Sequence, residues 1–267
     1  EHGWITSKLY GGDDQERLAQ EIVLGIGGVR ALRKLGIEVD KYHFNEGHAV
    51  LAGVELIKEK MEAGMSFAEA KEATREEIVF TTHTPVRAGN EIHEHRLLQH
   101  MKAYNGLNYK QMKEIGDNPF NMTVAGLRLS SITNGVSNLH QETTKEMWKD
   151  VDDKAPIIGI TNGVHAETWQ DERIKEAYES GDDLWQPHYE LKQELVDYIR
   201  EANGSSLDPD SLIIGFARRA APYKRSELIF RDAEAIEPLL REGKLQLVFS
   251  GKAHPNDDSG KDIVQNL

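Results

Sequence analysis

Cysteine is absent from the 267 residues, which excludes disulfides and thiolate metal centres. Positive charge is scarce: 32 Lys+Arg stand against 45 Asp+Glu, a formal net charge of -13. A negative surface field attracts neither nucleic acid nor an anionic membrane, so neither is expected as a main partner, and any anion must be drawn to a local site. No apolar run approaches the ~20 residues that span a bilayer. With neither cysteine nor a spanning run, a cytoplasmic location is the default expectation. The chain opens on Glu1-His2-Gly3-Trp4 without an initiator Met or a signal-peptide pattern. Hydrophobic residues make up 39% of the chain, enough to bury a sizeable core in one large α/β domain or two smaller ones. The opening, and a close on Asp262-Ile263-Val264-Gln265-Asn266-Leu267 that reads as helix interior, suggest a piece of a longer polypeptide.

Strand-like runs alternate with amphipathic stretches, the pattern of an α/β fold with a largely parallel sheet. Strands are expected at Tyr42-His43-Phe44, Ile78-Val79-Phe80, Ser130 to Ile132, Ile157 to Ile160, Leu212 to Phe216 and Leu245 to Phe249. Helices are expected at 48–61, 91–116, 138–149, 184–202 and 226–241. A polar, charge-rich stretch between Thr168 and Pro209 reads as a helical connection, which divides the chain into 1–162, 163–210 and 211–267. Ile-Thr-Asn-Gly-Val occurs at 132–136 and again at 160–164, and reads as two Asn-Gly turns rather than a structural repeat.

The densest chemical feature is Arg218-Arg219-Ala220-Ala221-Pro222-Tyr223-Lys224-Arg225, four cations directly after an apolar strand in an acidic chain. Ligands bind beyond the C-terminal ends of strands in open α/β sheets, and guanidinium and ammonium groups there suit phosphate oxygens. A solvated basic loop is the other reading that charge alone allows. Asn45-Glu46-Gly47-His48 and Thr82-His83-Thr84-Pro85 also lie just past expected strands. Amide, carboxylate and imidazole together suit a polyhydroxylated ligand that both donates and accepts hydrogen bonds.

Three other patterns read as structural. Gly25-Ile26-Gly27-Gly28 resembles a dinucleotide fingerprint that fails at Arg30, and Leu18, Ile22, Ile26, Val29 and Leu32 repeat as one face of a tightly packed helix. His93, His95 and His100 lack the spacing of a helical metal site and read as surface histidines, so no metal is expected. Asn121-Met122-Thr123 and Asn203-Gly204-Ser205 fit the glycosylation sequon, which is common by chance.

Read in order, several segments resemble the α-glucan (glycogen, starch and maltodextrin) phosphorylases, in particular their shorter bacterial and archaeal branch. They are Leu9-Tyr10-Gly11-Gly12-Asp13 with Glu21 to Gly28, Phe44-Asn45-Glu46-Gly47-His48-Ala49, Thr81-Thr82-His83-Thr84-Pro85, and Asn134-Gly135-Val136 with Leu139-His140. The series continues through Ile160-Thr161-Asn162-Gly163-Val164, Gly215 to Arg225 and Ser250-Gly251-Lys252-Ala253-His254-Pro255. The resemblance covers essentially the whole chain.

It implies a GT-B architecture of two Rossmann-like domains facing across a cleft, both incomplete here: the later part of the first in 1–162, a crossover in 163–210, and the start of the second in 211–267. It implies phosphorolysis of a terminal α-1,4-linked glucose by inorganic phosphate, giving glucose 1-phosphate with retention. The implied cofactor is pyridoxal phosphate acting through its 5'-phosphate, with its Schiff-base lysine beyond Leu267 and a glycine-rich segment before Glu1. The isolated 267 residues are then expected to be inactive. By position, Arg218 faces the cofactor phosphate, Arg219 and Lys224 hold the substrate phosphate and Tyr223 lines the same site. His83 and Asn162 meet the sugar, and Glu46 and His48 lie farther back in its pocket. Arg87 stands where the short branch commonly has proline. A homo-oligomer is compatible with this reading. The alternatives are a sugar-nucleotide-dependent GT-B glycosyltransferase and a non-catalytic glucan-binding relative.

Overall fold

The computed structural model describes residues 3–7, 13–253 and 257–267. Leu9, Tyr10, Gly11 and Gly12 of the first motif, and His254 and Pro255 of the last, lie outside the described residues. The chain divides into two compact units, Glu1–Gly163 and Val164–Leu267.

In the first unit, α1 (Asp14–Ile22) starts behind Asp13, whose carboxylate accepts from the Glu16 N–H at 2.8 Å and satisfies a free helix-end donor. It runs through a π-helical turn, Val23–Gly27, into α2 (Gly28–Lys34). The glycine-rich segment is therefore packed helix and not a dinucleotide loop. A Cβ on Gly25 would come within 2.7 Å of the Ala52 backbone nitrogen, so glycine is what lets the two helix backbones touch.

Next come β1 (Tyr42–Asn45), a 3-10 turn at Gly47–Ala49, α3 (Leu51–Glu62), α4 (Phe67–Glu77) and β2 (Ile78–Thr82). Ser66 and Glu69 form a reciprocal capping box that starts α4. The stretch 91–116 is not one helix, contrary to its polar helical pattern. It holds β3 (Ile92–His93), α5 (His95–His100) and α6 (Tyr109–Gly116). Lys102, Asn105 and Gly106 take φ of 60, 51 and 98° between the helices, a left-handed backbone that no helix can continue through. The unit closes with β4 (Phe120–Asn121), α7 (Met122–Leu129), β5 (Ile132–Gly135), α8 (Asn138–Met147) and β6 (Ile157–Gly159).

Strands β1, β2, β5 and β6 form a parallel sheet in that order, and β3 pairs antiparallel with β4. Parallel strands bring all four C-terminal ends to one edge. Phe44, Ile78 and Phe80 join Val54, Leu56, Ile57, Met122 and Leu127 in one buried cluster. All eight residues of α7 are buried, and a Cβ on Gly126 would lie 2.9 Å from the Phe80 ring. Asn134 and Gly135 belong to β5 and neither Ile-Thr-Asn-Gly-Val segment has a positive φ, so the expected Asn-Gly turns are not formed.

The second unit begins with α9 (Ala166–Trp169), α10 (Glu172–Ser180) and α11 (Trp185–Asn203); Gly181 and Gly204 end the last two in left-handed conformation. It continues with β7 (Leu212–Ala217), α12 (Ala233–Arg241), β8 (Leu245–Ser250) and α13 (Asp258–Asn266). The expected helix at 226–241 is split into a 3-10 turn, Ser226–Phe230, and α12, which starts where the Asp232 carboxylate accepts from the Ala235 N–H at 3.1 Å. β7 and β8 pair in parallel from Leu212–Leu245 to Ala217–Ser250. Both units are mixed α/β with parallel strands, as a Rossmann-like fold requires. Among the described residues no helix is long and apolar enough to cross a membrane.

Candidate functional site

At the C-terminal edge of the first sheet, the Glu46 N–H donates to the Thr81 carbonyl at 2.8 Å, carrying the β1–β2 ladder one residue past the strand. Glu46 has φ 64° and ψ -177°, a conformation nearly confined to glycine that costs a side-chain-bearing residue about 1–3 kcal/mol. Behind it Gly47 is obligatory, since a Cβ there would sit 2.8 Å from the Met122 Cβ. The Glu46 carboxylate turns onto the segment after β2. Its Oε1 accepts from the His83 N–H, the Thr84 N–H at 2.9 Å, and the Thr84 and Thr82 hydroxyls at 3.1 and 3.3 Å.

The His83 side chain is exposed. Ile160 and Asn162 donate backbone N–H bonds to Gly135 and Val136 at 2.9 and 3.2 Å, so the chain after β6 runs beside the end of β5 and leaves the Asn162 side chain exposed. Glu46, His83 and Asn162 thus stand on loops along one sheet edge. A polar chain crosses β1, β2 and β5: His43 Nε2 lies 2.7 Å from the Thr81 hydroxyl, which donates to Asn134 Oδ1 at 2.7 Å. The proton of that hydroxyl is committed to Asn134, so His43 is the donor in its bond.

His48 is held from the other side. Arg17 on α1 donates to its Nδ1 at 2.6 Å and binds both oxygens of Glu91 at 2.8 and 3.0 Å. The Nδ1 of His48 is therefore an acceptor and carries no proton. Glu21, 3.5 Å from Arg17, accepts from His93 Nε2 at 2.7 Å. Glu21, His48 and Glu91 have ligand atoms within 4.8 Å of one another, but the Arg17 guanidinium already supplies a cation there, bonded to His48 and Glu91 and 3.5 Å from Glu21.

Two histidine expectations need correction. His93 and His95 are buried rather than on the surface. His95 Nε2 donates to the Asp117 carbonyl at 2.7 Å, which in the neutral ring leaves Nδ1 to accept from the Tyr104 hydroxyl at 2.7 Å. Their partners Glu21, Asp117 and Tyr104 lie 72, 22 and 9 residues away, at no spacing that a local pattern reveals. Arg17 and Glu91 were likewise missed; the only sequence trace was the i,i+4 pair Arg17 and Glu21.

In the second unit the four-cation run leaves β7 and stays tied to the end of β8. Arg218 N–H donates to the Ser250 carbonyl at 3.0 Å and Ala220 N–H to the Lys252 carbonyl at 3.2 Å. Gly251 has φ 152°, and a Cβ on it would run into the Arg218 carbonyl oxygen, so glycine permits this closure. Pro222–Lys224 make a 3-10 turn that ends on left-handed Arg225, φ 57°. Lys224 Nζ lies 4.6 Å from the centre of the Tyr223 ring. Arg218, Lys224 and Arg225 line a cleft of about 550 Å3, and Arg218 also borders a smaller one of about 170 Å3 with Ser250 and Gly251. None of Arg218, Arg219, Lys224 and Arg225 makes an ion pair among the described residues, although twenty-two such pairs occur elsewhere. Lys252 beside them also makes no ion pair among the described residues.

No family model matches the chain. Among curated proteins it is 36% identical to a maltodextrin phosphorylase of Thermococcus litoralis, over 98% of this chain and 37% of that protein. It is 32% identical to a glycogen phosphorylase of Aquifex aeolicus, over 98% and 46%, and 35% identical to a glycogen phosphorylase of Mycobacterium tuberculosis, over 98% and 38%. The chain spans less than half the length of these curated relatives. Its order of motifs, its parallel α/β units and the similarity over 98% of its residues agree: the chain belongs to the α-glucan phosphorylase family.

Proposed function

We propose that the polypeptide carrying this chain is a glycosyltransferase that phosphorolyses the terminal α-1,4-linked glucose of a maltodextrin or glycogen chain, releasing glucose 1-phosphate with retention. The observation that carries the reading is the cationic loop after β7, which has no carboxylate partner among the described residues in a chain of net charge -13. In this proposal 1–162 and 211–267 are parts of the two Rossmann-like domains of a GT-B enzyme joined by the crossover 163–210, and the enzyme is cytoplasmic.

The loop suits a pyridoxal phosphate by the chemistry of its donors. The guanidinium groups of Arg218 and Arg225 and the Lys224 ammonium line one cleft, and Arg218 borders a second, smaller one beside Gly251. When bound, the cofactor supplies through its 5'-phosphate a proton-transferring group beside the substrate phosphate. Arg218 would hold that cofactor phosphate, and Arg219 and Lys224 the substrate phosphate, with Tyr223 lining the site. Two neighbouring phosphates repel, and cations fixed in place before binding offset this and stabilise the charge of the transition state. On the first unit the His83 backbone carbonyl would favour positive charge on the glucosyl carbon. The His83 ring and Asn162 would bind its hydroxyls, with Glu46 and His48 bordering the sugar.

Glucose 1-phosphate formation from maltodextrin and inorganic phosphate, measured on the natural polypeptide, tests the reading. Turnover that requires a nucleotide-glucose, in a protein without pyridoxal absorbance, overturns it. Lys224→Ala is expected to lower the rate on the order of 10²-fold. A rate near wild type removes Lys224 from the phosphate site.

A further inference from the structure

We propose that Glu46 is a positioning residue: its carboxylate fixes the backbone of Thr82-His83-Thr84 and so aims the His83 carbonyl and ring at the sugar. The inference rests on the sugar role proposed above for His83 and gives Glu46 a task that pocket lining does not describe. Four donors converge on Glu46 Oε1, two of them the consecutive backbone N–H groups of His83 and Thr84. An oxygen so occupied has no capacity left for a ligand. Glu46 Oε2 takes no hydrogen bond among the described residues and is the atom free to receive a sugar hydroxyl. One carboxylate would then join ligand to loop, engaged through Oε2 and holding His83 through Oε1.

The backbone supplies independent support. Glu46 occupies a conformation that glycine adopts without strain, and strained residues persist where the surroundings over-determine them. The residue after it is already glycine, packed against Met122. A second glycine at 46 would ease the turn, so the presence of glutamate points to its side chain. Negative charge also strengthens each of the four bonds relative to a neutral acceptor.

Replacing Glu46 by glycine separates this task from a merely structural one, because it removes the carboxylate while relieving the backbone. In the natural polypeptide, Glu46→Gly is expected to keep or raise Tm and to speed hydrogen exchange at the His83 and Thr84 amides by about tenfold or more. It should lower kcat for maltodextrin phosphorolysis by about the same factor and leave KM for phosphate within about twofold. Glu46→Gln, isosteric and still an acceptor, is expected to fall between wild type and Glu46→Gly in both exchange and kcat. Amide exchange unchanged in Glu46→Gly, or faster exchange with unchanged kcat, overturns the inference while phosphorolysis by the wild type stands. Absence of phosphorolysis in the wild type overturns the proposed function and this inference with it.

Discussion

In the first unit Lys71 and Arg75 converge on Asp153 at 2.8 Å each, and Arg128 reaches Asp117 at 2.7 Å and also Asp152. In the second unit Arg218, Arg219, Lys224 and Arg225 reach no carboxylate among the described residues, although Arg173, Arg200, Arg241, Lys244 and Lys261 of the same unit do. With 45 acidic side chains available, leaving four neighbouring cations unpaired is not a matter of supply. The paired cations of the first unit fasten one segment to another. Those of the β7 loop are held by their backbone instead, through the ladder to Ser250 and Lys252, which leaves their charged ends for an anion. Removing a fastener should therefore cost stability, and removing a loop cation should cost binding.

The largest effect is expected in the first unit's core, where stability depends on packing. Phe80→Ala deletes a fully buried ring that Gly126 was shaped to receive and is expected to cost about 3–5 kcal/mol, read from the denaturant midpoint. The opposite signature is expected for Arg219→Ala combined with Lys224→Ala. Its unfolding free energy should stay within about 0.5 kcal/mol of wild type. Inorganic phosphate at about 100 times its Kd should stabilise the wild type by about 2.7 kcal/mol, seen as a rise in Tm, and should do little for the variant. If the double variant unfolds easily, these cations are fasteners too and the contrast fails. Asp153→Asn removes the shared partner of Lys71 and Arg75, and is expected to cost about 1–2 kcal/mol with no change in phosphate response.

How much of this was legible in the sequence follows from what each feature depends on. Ile78-Val79-Phe80, Leu212 to Phe216 and Leu245 to Phe249 are short apolar runs, and all three lie in parallel strands. The loops after them were marked by proline and by clustered charge. α7 was not marked, because a helix buried on every side has no polar stripe to set its period. Tight turns through Lys102, Asn105 and Gly106 broke a stretch whose composition reads as one helix. His93 looked like a surface residue because its partner Glu21 is 72 residues away. The sequence put Glu46 at a strand end and beside a glycine, yet nothing in it indicates that one carboxylate oxygen would gather the backbone of a second strand's loop.

The smallest expected effect separates the units by acid. Glu55 is buried, which opposes its charge, but hydrogen bonds from Arg30 at 2.9 Å and Asn105 at 2.5 Å outweigh burial and hold its pKa below the ordinary 4.5. Asp153 is similar: burial opposes ionisation, and Lys71 and Arg75 outweigh it, so its pKa lies below the ordinary 3.8. A carboxyl with a depressed folded pKa binds fewer protons folded than unfolded. Its stabilisation is complete above the unfolded value and is lost as pH falls through the folded one. The first unit should therefore begin to lose stability below about pH 4.5 and continue to lose it on further acidification. In the second unit Asp171, Glu194, Asp208 and Asp258 also have lowered pKa values, each held down by hydrogen bonds, but these exposed groups are screened by water and salt and contribute little. Trp148 is buried in the first unit, so with Trp4, Trp169 and Trp185 replaced by Phe its fluorescence can follow that unit through an acid titration. Glu55→Gln is expected to lower stability at neutral pH and to flatten the acid slope reported by Trp148, and added salt should leave that slope largely in place. A slope that salt abolishes would mean that the first unit's acid response comes from its surface pairs, and the contrast between fastened and unfastened charge would then have to rest on the β7 loop alone.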